Sequence, residues 1–226
     1  METTLGIGDL LPAAIGIALS PVPIAAVILM LFSAKARVNG LAFVAGWISG
    51  LVVIGGAILL LGADSAGSTG DPSVASLWVK TVLGVLLLAV GVKQWRDRPD
   101  PGDEPAMPKW MQSIDAFTAG KSFGMAALLS GVNPKNLVLN AAGVLVIMQG
   151  GLEPAEEWVA LAVFVLLASV TVVAPVAYYF IAGDRADATL ESMKTWLIRN
   201  NGAVMGVLLL ILGVKLLAEG AQGLLG

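Results

Sequence analysis

Lys135 is the residue of this sequence whose chemistry most needs an explanation, because it is the one charged residue in the apolar stretch 122–149. A charged side chain near the centre of a lipid bilayer costs roughly 3 kcal/mol on insertion scales. No Asp or Glu falls in the central part of any apolar stretch, so the sequence offers Lys135 no obvious counter-ion. An ammonium group in this position predicts a site for an anionic substrate. A structural lysine, which reaches the lipid head groups or donates to backbone carbonyls, is the alternative left open.

Helix-breaking residues surround Lys135 and recur near the start of the chain. The two runs are Ser20-Pro21-Val22-Pro23 and Ser130-Gly131-Val132-Asn133-Pro134-Lys135-Asn136. Proline removes a backbone donor and its ring clashes with a preceding carbonyl, so each run predicts a broken helix whose freed backbone groups need polar partners. Asn136 and Asn140 are four residues apart and share a helix face. The predicted substrate-binding residues are Lys135, Asn133, Asn136, Ser20, Ser130 and Asn140, and the predicted helix-break or gating residues are Pro21, Pro23, Gly131 and Pro134.

The composition places these breaks in a membrane protein. Of the 226 residues 57% are hydrophobic and 13% are charged, whereas a soluble domain carries about 25% charged residues. Apolar stretches suited to cross a bilayer, each with few or no charges, predict an all-α protein with six transmembrane helices. They cover residues 10–34, 38–63, 77–94, 122–149, 158–183 and 200–217. Five spans with one re-entrant segment are the alternative.

The sequence contains no Cys and no His, which excludes disulfides, thiol chemistry and His- or Cys-ligated metals. The predicted spans also lack the buried carboxylates that a metal transporter would need. No phosphate-binding loop and no nucleophile constellation is present. We therefore expect neither an enzyme nor a cofactor, no bound metal and no nucleic-acid partner.

Basic residues alternate between the predicted loops. Ten of the 13 Lys and Arg residues lie in or beside the loops after spans 1, 3 and 5, whereas the loops after spans 2 and 4 contain only acidic charges. Cytoplasmic loops carry the excess of Lys and Arg. The pattern predicts a multi-pass protein of the bacterial cytoplasmic (inner) membrane with both termini outside.

The two halves of the chain repeat each other. Residues 84–93, GVLLLAVGVK, match residues 206–215, GVLLLILGVK, at eight of ten positions, and weaker matches relate span 1 to span 4 and span 2 to span 5. Three spans per repeat force the second copy into the opposite orientation, which is the plan of many secondary transporters. The predicted parts are a first repeat over 1–96, a cytoplasmic linker with a short interfacial helix over 97–121, and an inverted repeat over 122–226. A duplication without transport is the alternative.

Three stretches of the sequence resemble one known family. Ser20-Pro-Val-Pro-Ile-Ala-Ala-Val-Ile-Leu29, Gly40-Leu-Ala-Phe-Val-Ala-Gly-Trp47 and Asn133-Pro-Lys-Asn-Leu137 look like the GAP family, the glycopeptidolipid- and sulfolipid-addressing proteins of the lysine-exporter (LysE) superfamily. The resemblance implies six spans, inverted repeats, paired proline motifs, and a role in moving cell-envelope lipids to the outer surface. Amino-acid exporters of the same superfamily carry a similar Asn-Pro-Lys motif, although their first motif is typically Pro-Gly-Pro and here it is Pro-Val-Pro.

These features predict a transporter that exports or flips an anionic envelope lipid or lipid-linked glycan by alternating access. A small-solute exporter of the amino-acid type and a non-transporting scaffold of an envelope-lipid assembly machine are the alternatives. The expected partners are membrane lipids, including an anionic lipid substrate. A second copy in a homodimer and envelope-lipid biosynthesis proteins are partners that the sequence leaves open.

Overall fold

The computed structural model describes residues 7–63, 74–96 and 117–225, and within these ranges every regular element is a helix. Eight α-helices follow one another, with one 3-10 turn between the last two. Their bounds are α1 Ile7–Ala18, α2 Pro21–Leu31, α3 Ala36–Ala63, α4 Val74–Arg96, α5 Ala119–Gly131, α6 Pro134–Gln149, α7 Pro154–Ala182 and α8 Ala186–Leu225. Most of the predicted interfacial helix in the linker, with Trp110, Met111 and Ile114, lies outside the described residues.

Helices end at both of the predicted breaks. The α1–α2 pair bends by 47° between Ala18 and Pro21, and two residues separate the end of α5 at Gly131 from the start of α6 at Pro134. Pro21, Pro23 and Pro134 carry no N–H group, so the carbonyls four residues before them lose their helical donors. The first predicted span and the fourth therefore each consist of two half-helices, and their freed backbone groups need other partners.

Several helices are long and apolar enough to cross a membrane. These are α3, α7 and residues 202–224 of α8, and the bent α1–α2 pair meets the same criteria if it forms one span. The protein is therefore a multi-pass membrane protein, as predicted. Within the described ranges, length and apolarity support up to four of the six predicted crossings. The α5–α6 pair, which carries the polar second break, and α4 are not among them.

The chain forms two compact units. The larger contains the described residues of 1–66 and 106–198, and the smaller those of 67–105 and 199–226. The first two predicted spans of each repeat lie together in the larger unit, whereas the two third spans contact each other in the smaller.

In the larger unit, α3 packs closely along α5. A Cβ atom on Gly46 would lie 2.1 Å from the carbonyl oxygen of Phe123, and one on Gly50 would lie 2.7 Å from that of Ala127. Residue numbers rise together along this contact, so α3 and α5 run in the same direction. On the other side of the unit, α1 packs against α7 and α6. The first half-helix of each broken pair thus packs against the long helix of the other half of the sequence.

In the smaller unit, α4 packs closely against the second part of α8. A Cβ atom on Gly84 would lie 3.0 Å from the carbonyl oxygen of Gly213, and one on Gly91 would lie 3.2 Å from that of Gly206. Residue numbers rise along α4 while they fall along α8, so these two segments are antiparallel. The close contacts join the two copies of the repeated GVLLL motif.

The helix α8 is 40 residues long. Its residues up to 198 belong to the larger unit and those from 199 onward to the smaller. Leu190, Met193 and Leu197, whose spacing places them on one helical face, lie in the first part of α8.

Candidate functional site

The last backbone carbonyls of α1 accept hydrogen bonds from side chains. The ammonium Nζ of Lys135 donates to the carbonyl oxygen of Gly16 over 2.8 Å. The hydroxyl of Ser20 donates to the carbonyl of Ile17 over 2.6 Å, and the hydroxyl of Thr171 donates to that of Ala18. The first break thus leaves three carbonyls in succession, and two of their donors come from distant parts of the chain.

Lys135 joins the two breaks directly. Its Nζ also lies 2.5 Å from the Oγ of Ser20, which is 115 positions earlier in the chain. The lysine begins in the first turn of α6, where the Oδ1 of Asn133 accepts its backbone N–H over 3.1 Å. From there the side chain reaches the C-terminal end of α1, where the partial negative charge of a helix favours a cation.

The ammonium group retains capacity for a further ligand. It has three N–H groups, and two of them have acceptors in the described part of the chain, a carbonyl and a hydroxyl. Both acceptors are uncharged, and no carboxylate among the described residues forms an ion pair with Lys135. Its side chain is half-buried rather than sealed. An anion that reached this position would gain a charge-assisted hydrogen bond.

Asn136 connects the two breaks a second time. Its side chain is fully buried, its Nδ2 donates to the carbonyl of Leu129 over 2.8 Å, and its Oδ1 lies 3.2 Å from the hydroxyl of Ser20. The carbonyl of Leu129 belongs to the last turn of α5, before the second break. The start of α6 therefore supplies donors to the freed ends of both α1 and α5.

Four of the six predicted site residues meet at this crossing: Lys135, Asn136, Asn133 and Ser20. The other two bond elsewhere, next to α3. The hydroxyl of Ser130 donates within its own helix to Ala127, at the close contact with Gly50, and the Nδ2 of Asn140 donates to the carbonyl of Leu51 over 3.0 Å. In this structure Ser130 packs against Gly50 of α3, and Asn140 hydrogen-bonds to the backbone of α3.

Thr171 is a contributor that the sequence interpretation missed. It lies in α7, four residues before Pro175, the proline inside that helix. Because Pro175 has no N–H, the carbonyl of Thr171 loses its helical donor. The hydroxyl of Thr171 donates to the carbonyl of Ala18 at the end of α1. In the sequence, a hydroxyl residue four positions before a proline in an apolar stretch could have indicated this contact.

Two apolar grooves lie beside the breaks. The α7–α8 groove, about 540 Å³ in volume, is lined by Leu19, Ile24, Val170, Thr171, Ala174, Pro175, Ser192, Met193, Trp196 and Leu197. The α5 groove, about 650 Å³, is lined by Phe117, Lys121, Met125, Leu128, Leu129, Val132 and Asn133. Each groove ends at one break, and both have mostly hydrocarbon walls suited to an apolar chain.

Comparison with known proteins agrees with the resemblance carried by the two proline motifs. The model of a family described as "Sap, sulfolipid-1-addressing protein" (SfLAP) matches residues 10–222, a range that includes both breaks and the whole cluster around Lys135. No curated protein and no solved structure matches the chain. The match covers nearly the full length of the sequence, and the chain therefore belongs to the sulfolipid-1-addressing protein family.

Proposed function

We propose that this protein is a transporter that exports or flips an anionic cell-envelope lipid by alternating access. One observation carries the proposal: Lys135, which lies directly after the second break, bonds two uncharged acceptors at the first break, and the described residues supply no acceptor for its third N–H. A phosphate, sulfate or carboxylate head group would complete that set. Membership of a family named for addressing a sulfolipid supports a role in handling envelope lipids.

Alternating access needs two halves that exchange roles, and the helix contacts support an inverted repeat. In two repeats of three crossings each, the second and fourth crossings have the same direction. The helices α3 and α5 belong to these two crossings, and their parallel packing agrees with that arrangement. The antiparallel pairing of Gly84 with Gly213 and of Gly91 with Gly206 relates the two motif copies by a two-fold rotation. If α4 and α8 cross the membrane, that axis lies in the membrane plane, and we propose six spans on this basis.

We also propose the bacterial cytoplasmic membrane as the location, with both termini on its outer side. The distribution of Lys and Arg among the loops supports this orientation. In this arrangement the start of α5 and the start of α8 lie at the cytoplasmic surface, and both breaks lie near the middle of the bilayer.

The groove chemistry favours a lipid over a small solute. Of the ten residues that line the α7–α8 groove, two carry hydroxyls and the other eight are apolar. Leu19 in this groove directly precedes Ser20, a partner of Lys135. A molecule with a hydrocarbon chain in the groove and an anionic group at Lys135 would use both surfaces, whereas an amino acid would leave the groove empty.

The test is a leaflet-exchange assay with the purified full chain in liposomes. The probes are a fluorescent sulfated glycolipid and a fluorescent phosphatidylglycerol, and the readout is the rate at which label becomes accessible to a membrane-impermeant quencher. We expect exchange with the natural sequence and a loss of at least tenfold with Lys135→Met. The matched control is Lys35→Met, which removes an exposed lysine and should leave the rate unchanged.

Three results would contradict the proposal. Normal exchange by Lys135→Met would show that the lysine does not hold the head group. No lipid exchange by the natural sequence, together with uptake of labelled amino acids into the same liposomes, would favour the small-solute exporter. Absence of both activities, with normal envelope lipids in cells that carry Lys135→Met, would favour a scaffold.

A further inference from the structure

We propose that the α5 groove binds an anionic lipid of the inner leaflet, with its head group at Lys121 and its acyl chain along α5, and delivers it toward the second break. The inference rests on the proposed lipid transport and adds the site of access. It concerns a surface that shares only Asn133 with the Lys135 cluster. The occupant is a membrane lipid rather than a protein helix or a free anion.

The lining of the groove has the polarity of such a lipid. Lys121 lies near the start of α5 and is exposed, and it is the only charged residue among the described lining residues. Beyond it the wall is formed by Met125, Leu128, Leu129 and Val132. One cation at one end of a hydrocarbon surface complements an anionic head group attached to an acyl chain.

The length of the groove matches one leaflet. From Lys121 to Asn133 the chain advances twelve residues, which along a helix is about 18 Å. Half of the hydrocarbon core of a bilayer is about 15 Å. A chain that begins at the lipid head groups beside Lys121 therefore reaches the second break, near the bilayer centre, without leaving the groove.

The lining of the groove includes one residue of the Lys135 cluster. Asn133, its last lining residue, caps α6 and accepts the backbone N–H of Lys135 through its Oδ1. At the other end, the described part of the chain places no packing neighbour within 4 Å of a Cβ atom on Gly120 or Gly124. The groove thus extends from the exposed Lys121 to Asn133, which binds the backbone N–H of Lys135.

Site-specific quenching tests the binding. The natural chain has no cysteine, so a single fluorophore at Leu128→Cys needs no background substitutions. The control position is Ile181→Cys in α7, which is 85% exposed and lies outside the groove. The quenchers are brominated phosphatidylglycerol and brominated phosphatidylcholine in liposomes of otherwise identical composition.

We expect phosphatidylglycerol to quench the label at position 128 with about fivefold higher apparent affinity than phosphatidylcholine, since one lysine near a membrane surface contributes about that factor. Lys121→Gln should abolish the preference, and position 181 should show none. Equal quenching by both lipids at position 128, or a preference that survives Lys121→Gln, would overturn the proposal.

A second variant tests delivery. Met125→Trp fills the groove without touching the cluster at Lys135, and we expect it to slow leaflet exchange severalfold. Normal exchange by Met125→Trp, with Lys135→Met inactive, would refute delivery through this groove and leave the proposed function standing. If the natural sequence exchanged no lipid, the proposed function would fail, while the quenching experiment would still report whether the groove binds anionic lipid.

Discussion

Replacing Lys135 by methionine should leave the fold at least as stable as before while it abolishes transport. The substitution removes two hydrogen bonds, to the carbonyl of Gly16 and to the hydroxyl of Ser20. Interhelical hydrogen bonds in membrane proteins average about 0.6 kcal/mol, so the loss is about 1 kcal/mol. Burying a charged group inside a folded protein still costs several kcal/mol after relaxation, and methionine removes that cost. The balance predicts a stabilisation of about 2 kcal/mol.

Ser20→Ala should have the opposite effect on stability. It removes the hydroxyl that accepts from Lys135 and donates to Ile17, but it leaves the ammonium group in place with a poorer set of partners. We expect a destabilisation of about 1 kcal/mol from these two bonds. The two variants should therefore differ by about 3 kcal/mol, with Lys135→Met the more stable.

The assay is reversible unfolding of the purified chain in mixed micelles by increasing amounts of SDS, with the double variant completing a thermodynamic cycle. Lys35→Met, at an exposed position, should stay within about 0.5 kcal/mol of the natural sequence. If Lys135→Met instead lost more than 1 kcal/mol, the ammonium group would be a net stabiliser. The alternative of a structural, carbonyl-bonded lysine would then be correct.

Three further predictions concern packing. Gly46→Ala places a methyl group 2.1 Å from the carbonyl oxygen of Phe123, so it should destabilise the protein by about 2 kcal/mol in the same unfolding assay. The control is Gly124→Ala, where no described packing neighbour lies within 4 Å of the Cβ atom, and it should not destabilise the protein. Thr171→Val keeps the shape but loses the bond to α1, and we expect a loss of about 0.6 kcal/mol together with slower leaflet exchange. Gly213→Leu puts a large side chain where a Cβ atom would already lie 2.9 Å from the backbone nitrogen of Leu88 in α4, so it should lower the unfolding midpoint by several degrees; an unchanged midpoint would contradict this packing.

The helix breaks are the part of the fold that sequence predicts best. A proline removes its own donor and disturbs the carbonyl four residues before it, so Pro21 and Pro134 locate the breaks through local chemistry alone. The sequence does not identify the partners of the freed carbonyls. Lys135 and Gly16 are 119 positions apart, and their contact depends on how four half-helices cross.

Shared helix faces were a weaker guide to the site. Asn136 and Asn140 lie on one side of α6, and the sequence grouped them in one cavity. In the structure Asn136 hydrogen-bonds to the carbonyl of Leu129 at the second break, whereas Asn140 hydrogen-bonds to the backbone of α3. The two residues differ because two different helices pack along that side of α6. Periodicity identifies which residues point together, but it does not identify the neighbour that each one meets.

The contact between α4 and α8 has a consequence for how such a chain can arise. Each copy of the GVLLL motif presents two glycines to the other copy, and the pairs Gly84–Gly213 and Gly91–Gly206 are equivalent. This is the self-complementary contact of a two-fold homodimer. Two separate half-length chains inserted in opposite orientations would make the same contact, at an affinity that depends on their concentration in the membrane. Under the proposed inverted repeat, joining the two copies in one polypeptide makes that association intramolecular and fixes the ratio of the two orientations at one to one.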